Sequence, residues 1–414
     1  MADVPFPDDR NQQDGILRVG QMYKVIFYSD SDFFGGHEKM AVAAHAACQR
    51  HGEPIQIQWL INARNRYLAD ALGNAGLNYA TLVDAPSFSL RGNPLRAFWK
   101  ILGNASKLRR LSPDLIMVVQ GNIAHCYDGV LSALMSGIRC CSYIPMVFCI
   151  SDVKKRRCPA LWDFAWSLLY RTISSYITID PEQATRLRRE NGKASVYVVE
   201  NYVPKNEPLD IRQHARTKLG IPPDKKVLAL IGRIEFQHKC QDWAFRELKN
   251  DPFLTDKFVL FVGDGSDSYR LRAMLAPEVR DRFGLIGWTD DLREVYAASD
   301  VLLIPSKVEG VPLVMLEALG YRVPVVGSDR DGMRSWLPAQ WRFVWGDVEG
   351  FKLAIQDALN TTMPEVWENI ADRLALVHDD VRFATQFSRA LTRCCDRRML
   401  PSSGLHDPSK ESGR

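Results

Sequence analysis

Two glutamates, Glu309 and Glu317, stand eight residues apart in the stretch SKVEGVPLVMLEALGYRVPVVGSD, with a Gly-x-Pro between them. Carboxylates at this spacing suit the hydroxyl pairs of sugar rings. Ser306-x-x-Glu309 fits a capping box. A helix capped at Ser306 would carry Pro312 in its interior, at a cost of ~3 kcal/mol. A helix that begins at Pro312 avoids that cost, because proline suits the first helical position. Glu309 and Gly310 then lie in the preceding loop, with Glu309 at the mouth of a cleft. The amides around Val311, Leu313 and Val314 open the helix and form an anion site suited to phosphate. Glu317, flanked by Leu316 and Leu319, reads either as a surface glutamate or as a carboxylate that grips a second diol such as a ribose.

Cationic partners for a phosphate lie upstream, in LIGRIEFQHKCQD (230–242). Gly232 ends a strand pattern, and Arg233 and Lys239 follow in its loop. Arginine holds a diphosphate through paired hydrogen bonds, and lysine acts as a point charge. The plainer reading of both is a solvated surface. VGDGSD (262–267) lacks the spacing of a dinucleotide fingerprint and reads as a tight turn. Gly35 and Gly36 open the first helical pattern, where glycine allows close backbone approach to an anion; the plainer reading is an ordinary loop.

The elements that must position these groups alternate between two patterns. Short apolar runs at 23–29, 54–60, 115–120, 139–144 and 175–179 read as strands, with helical patterns between them. A second series follows at 226–232, 258–263, 284–287, 300–305 and 323–327. Such alternation predicts α/β architecture: two Rossmann-like doubly wound domains facing a cleft, with ligands beyond the carboxyl ends of the strands. The expected divisions are a tail at 1–21, a first domain at 22–204 and a second at 205–380. A terminal helix at 381–400 could cross back to the first domain, and a tail fills 401–414.

The totals agree with two cores: 414 residues, 46% hydrophobic, 25% charged and a net charge of +4. That charge is too weak to suggest nucleic acid. Nine cysteines without zinc-type spacing, an acidic polar start, and apolar runs short of the ~20 residues of a membrane span suggest a cytoplasmic location. Lys154, Lys155, Arg156 and Arg157 precede the aromatic run CPALWDFAWSLLYRTI. This reads as a solvated loop before a core helix, or as a contact with an anionic membrane surface.

Together EGVPLVMLE, GRIEFQHK, GDGSD and FFGGHEK resemble the family-4 retaining glycosyltransferases of GT-B fold, over about 22–380 and most strongly in the second domain. The resemblance implies a nucleotide-diphosphate-sugar donor and a saccharide or lipid-linked acceptor, in cell-surface polysaccharide or glycolipid assembly. It implies that Glu309 touches the donor sugar and Glu317 the ribose. Arg233 and Lys239 would hold the diphosphate near the Gly36 amide, with no cofactor and no metal. Departures are Cys240 where glycine is usual, and Gln120 and Asn122 where histidines are common. Asn122 and His125 are the acceptor-side candidates. Alternatives are a nucleotide-sugar epimerase of the same fold, or a non-catalytic binder.

Overall fold

The computed structural model describes residues 22–82, 94–148, 159–205, 210–275, 277–289, 291–360 and 364–396. Among the described residues, thirteen strands form two sheets. The first sheet contains β1 (Tyr23–Ser29), β2 (Ile55–Ile61), β3 (Tyr79–Thr81), β4 (Leu115–Val119), β5 (Cys140–Tyr143), β6 (Ser175–Thr178) and β7 (Ser195–Val198). The second contains β8 (Lys226–Ile231), β9 (Lys257–Val262), β10 (Phe283–Ile286), β11 (Val301–Ile304), β12 (Val325–Ser328) and β13 (Arg342–Phe343). Their orders are 3-2-1-4-5-6-7 and 10-9-8-11-12-13. Every paired strand is parallel. Helices cover both faces, so central strands such as β4 and β11 are buried along their whole length.

Strand order reverses between β1 and β4 in one sheet and between β8 and β11 in the other. The loops that leave these four strands carry Gly35 and Gly36, Asn122 and His125, Arg233 and Lys239, and Glu309. Reversal points are where open α/β sheets leave a crevice for ligands.

Three strands, β3, β7 and β13, were not expected. They lie toward or at the sheet edges and are short and only partly buried. The chain ends its described course in two helices, Pro364–Val377 and Asp380–Cys395, the second capped by Asp379, whose Oδ1 accepts the Arg382 amide at 2.9 Å.

Helix Asp380–Cys395 lies on the first domain, against helix Gly36–Arg50. Arg50 pairs with Asp380 at 2.8 Å, and Phe387 packs on Phe27 and Tyr143 of the first sheet. The chain therefore crosses between domains twice, and the crossings touch. The Val203 amide donates to the Val377 carbonyl at 3.0 Å, and Tyr202 stacks on Phe383. No helix among the described residues is long and apolar enough to cross a membrane. The run 154–157 lies outside the described residues, as do the tails.

Candidate active site

The loop after β8 begins at Gly232, whose φ of 141° favours glycine. Gly263, at φ 134°, packs directly on the Gly232 backbone, and a β-carbon on Gly265 would strike the Ile234 carbonyl. The GDGSD turn is thus a buttress under the Arg233 loop. Asp267 extends it by accepting the Phe236 amide at 3.0 Å. Gln241 holds the loop from the other side, donating to the Arg233 carbonyl at 2.8 Å. Cys240, where the resemblance has glycine, sits at φ 56°, a left-handed conformation that costs a non-glycine residue about 1–2 kcal/mol.

Lys239 and Glu309 form an ion pair, and Ser306 Oγ donates to the same Glu309 oxygen at 2.8 Å. Ser306 therefore orients Glu309 rather than capping a helix. Glu309 is buried, not open at a cleft mouth as expected, because Ser306 and Lys239 draw its carboxylate inward. The two residues line a small cavity with Gln241 and Val314.

The helix that follows is Leu313–Gly320, one residue later than expected, with Pro312 in extended conformation at its cap. Val311 is buried, and its carbonyl accepts Asn201 Nδ2 at 2.9 Å. Glu317 is also buried. Its Oε2 accepts the Tyr296 hydroxyl and its Oε1 pairs with Lys39 of the first domain, both at 2.8 Å. That disfavours the surface-glutamate reading. Burial and the neighbouring carboxylate push the Tyr296 hydroxyl pKa well up, so it remains a donor to Glu317.

The first domain meets this face closely. A β-carbon on Gly36 would stand 3.4 Å from Leu313 Cδ1, and one on Gly35 would stand 3.3 Å from Arg233 Nη2. A β-carbon on Gly310 would stand 2.6 Å from the Pro145 carbonyl, so this glycine is required by the approach of the other domain. Gly35, Gly36, Arg233 and Leu313 are thus gathered across one cleft, and the Lys239–Glu309 pair lies in the second domain's share of it. Asn122 does not present its carbonyl oxygen to the cleft; Oδ1 accepts the Ala124 amide at 2.9 Å in a local turn. His125 is exposed in the structure, with His37 and Arg233 near its ring. His37, Glu38, Lys39, Ser306 and Tyr296 were not foreseen as site residues. His37, Glu38 and Lys39 directly follow the Gly-Gly pair, a signal available in the sequence, whereas nothing local marks Tyr296.

Residues 225–361 match the family model described as Glycosyl transferases group 1. The second domain is a group 1 glycosyltransferase domain. Over most of its length the chain also superposes on solved GT-B structures. The Anabaena protein Alr3699/HepE, solved in complex with UDP-glucose, gives a TM-score of 0.70 at 16% identity, covering 89% of this chain and 99% of that one. Sucrose-phosphate synthase of Thermosynechococcus elongatus gives 0.69 at 15% identity, covering 90% and 98%. These likenesses establish the two-domain fold. Among curated relatives, a D-inositol 3-phosphate glycosyltransferase of Saccharomonospora viridis is 36% identical over 178 residues, 40% of this chain and 38% of that protein. The Escherichia coli UDP-Gal:alpha-D-GlcNAc-diphosphoundecaprenol alpha-1,3-galactosyltransferase is 24% identical over 163 residues, 38% of this chain and 40% of that protein. The matched stretch spans well under half the length of each of these two relatives.

Proposed function

We propose that the chain is a retaining, metal-independent glycosyltransferase that moves a sugar from a nucleoside-diphosphate sugar to an acceptor hydroxyl in polysaccharide or glycolipid assembly. The observation that carries this is the meeting of Arg233, the start of helix Leu313–Gly320 and the Gly35–Gly36 turn across the cleft, with Lys239 and Glu309 beside them. As the bond from the anomeric carbon to the diphosphate breaks, negative charge builds on the leaving group. Arg233, Lys239 and the helix amides supply fixed positive potential there, and one such donor is worth roughly 3–4 kcal/mol. Lys239 exchanges Glu309 for the diphosphate when donor enters, which frees Glu309 for sugar hydroxyls. Glu317 takes the ribose beside Lys39. The acceptor hydroxyl attacks on the face the diphosphate leaves, so configuration is kept and the hydroxyl proton ends on the departing phosphate.

The test is calorimetry with UDP, GDP and ADP, followed by assays with the corresponding nucleotide sugars. Arg233→Ala is expected to weaken nucleotide binding at least tenfold and turnover about 100-fold, while EDTA leaves wild-type turnover unchanged. An Arg233→Ala protein with full turnover would refute the electrostatic account. Isomerised donor in the absence of acceptor would identify an epimerase instead.

We further infer peripheral contact with an anionic membrane. Phe98 and Trp99 on helix Pro94–Leu111 and Phe164 on helix Pro159–Thr172 are exposed aromatic residues on the first domain, and the basic run 154–157 directly precedes the second helix. Co-sedimentation with phosphatidylglycerol vesicles should fall when those four charges are neutralised. Equal binding by the neutralised variant would remove the membrane reading.

A further inference from the structure

Asn122 is withdrawn into its own turn, so the first domain must present other polar groups to an acceptor. Two imidazoles are in place. A β-carbon on Gly121 would stand 3.1 Å from His37 Nδ1 and 3.2 Å from His125 Nδ1, so both nitrogens face the space above this glycine. The two rings lie 6.4 Å apart, tilted by 32°. His37 Nε2 lies 2.9 Å from Glu38 Oε1, and the other Glu38 oxygen accepts the Gly35 amide at 2.8 Å. Glu38 is wholly buried, so its carboxylate is fixed. The cluster also adjoins the phosphate side of the cleft: a β-carbon on Gly35 would be 3.3 Å from both His37 Nδ1 and Arg233 Nη2.

We propose that His37 and His125, facing each other across Gly121 beside Arg233, form the subsite for the acceptor's reacting hydroxyl, a saccharide alcohol, with His37 as its proton relay. This rests on the transferase reading above. Attack on the leaving-group face requires the hydroxyl to lie next to the diphosphate, and Arg233 marks that position. His37 Nδ1 faces the place of the hydroxyl, and the Glu38 carboxylate stands beside Nε2 on the far side of the ring. The hydroxyl oxygen forms the new bond to the anomeric carbon as the bond to the diphosphate breaks, its electron pair leaving with the phosphate. The hydroxyl proton moves to His37 Nδ1, and Glu38 stabilises the imidazolium. That proton then passes to the departed diphosphate, which restores neutral His37. His125, whose Nδ1 faces the same space above Gly121, orients the hydroxyl.

The test compares His37→Ala, His37→Asn, His37→Gln and Gly121→Ala with the wild-type chain. Nucleoside diphosphate release is followed from UDP-glucose, UDP-galactose, UDP-N-acetylglucosamine and GDP-mannose, with water and methyl glycosides as acceptors. General-base groups contribute about 10²–10⁴ in rate. His37→Ala should therefore lose about 100-fold in kcat with donor KM within threefold. Neither amide takes up a proton, but the oxygen of asparagine can stand in for Nδ1 as the hydroxyl's hydrogen-bond acceptor while that of glutamine stands in for Nε2, so Asn should keep more residual activity than Gln with both well below wild type. Gly121→Ala, which crowds both rings without a backbone penalty, should lose rate while nucleotide affinity is kept. Wild-type kcat in His37→Ala, or Gln outperforming Asn, overturns the subsite, the latter because it marks a structural role through Nε2. No release by the wild type from any donor overturns the transferase reading and the subsite together, and that failure shows before any variant is made.

Discussion

Asp30 ends the first strand's run toward the cleft, and it is almost wholly buried. Burial pushes its carboxyl pKa up from 3.8 to about 6, the nearby Asp128 adds to the rise, and Lys100 opposes it. Lys100 is committed to Asp128 at 3.0 Å, with both side chains buried. The sign follows from proton counting. Between about pH 4 and 6 the folded chain holds a proton at Asp30 that the unfolded chain has lost, so stability falls as pH rises through this window. Above it the loss is complete, on the order of 3 kcal/mol for a two-unit shift. Asp30→Asn should therefore raise the melting temperature at pH 8 and change it little at pH 4; a gain of equal size at both would show that ionisation is not the cause. The sequence does not reveal this, because Asp30 becomes costly only once folding buries it and sets Asp128, on helix Tyr127–Ser136, near it. Arg233 and Lys239 were legible for the opposite reason. Their place after an apolar run and a glycine is a local fact that needs no tertiary partner.

The segment from Glu309 to Glu317 meets the first domain at several points, and these differ in tolerance. Gly36 leaves room for a methyl group at van der Waals distance from Leu313, whereas a methyl on Gly310 meets the Pro145 carbonyl at 2.6 Å and Ile179 at 2.9 Å. Gly310→Ala should therefore hold the domains apart. We expect at least a tenfold loss of turnover and a larger radius of gyration in small-angle scattering with nucleotide bound, while Gly36→Ala keeps the compact form. Compact, active Gly310→Ala would contradict the packing seen here. From sequence alone Gly310 read as a donor-loop glycine, since no pattern along one chain shows which backbone approaches it from another domain. Strands were legible in proportion to burial. β1, β4, β8 and β9 are largely or wholly buried runs, while the edge strands β3 and β13 are only three and two residues long and β7 is only partly buried. An aspartate that caps the following turn, as Asp379 does, is a readable stop-and-start signal.

At the scale of the whole molecule, the cleft depends on how two separate sheets are held. Two chain crossings lie side by side at Val203 and Val377, which permits rotation about one short hinge. The Lys39–Glu317 pair and the packing of Gly310 on Pro145 resist that rotation across the cleft, and helix Asp380–Cys395, which leaves the second domain and buries itself on the first, fixes one side of the hinge. Arg139 fixes its far end by donating to the carbonyls of Cys394 and Cys395, at 3.1 and 2.8 Å. Arg382 ties its near end to Glu200 at 2.8 Å. Phe387 is the anchor in the middle, fully buried and ringed by Phe27, Tyr143 and Phe383. Truncating a buried phenylalanine to alanine costs about 3–5 kcal/mol, and here the cost falls on one sheet. Phe387→Ala should speed amide exchange in helices Gly36–Arg50 and Asp380–Cys395, yet leave β9 of the second sheet protected as before. Nucleotide affinity should survive, since Arg233, Lys239 and Glu317 sit on the second domain, while turnover falls with the loss of a fixed closed state. Exchange rising equally in both sheets would mean that the domains unfold as one unit and that the helix is not a strap on the first domain.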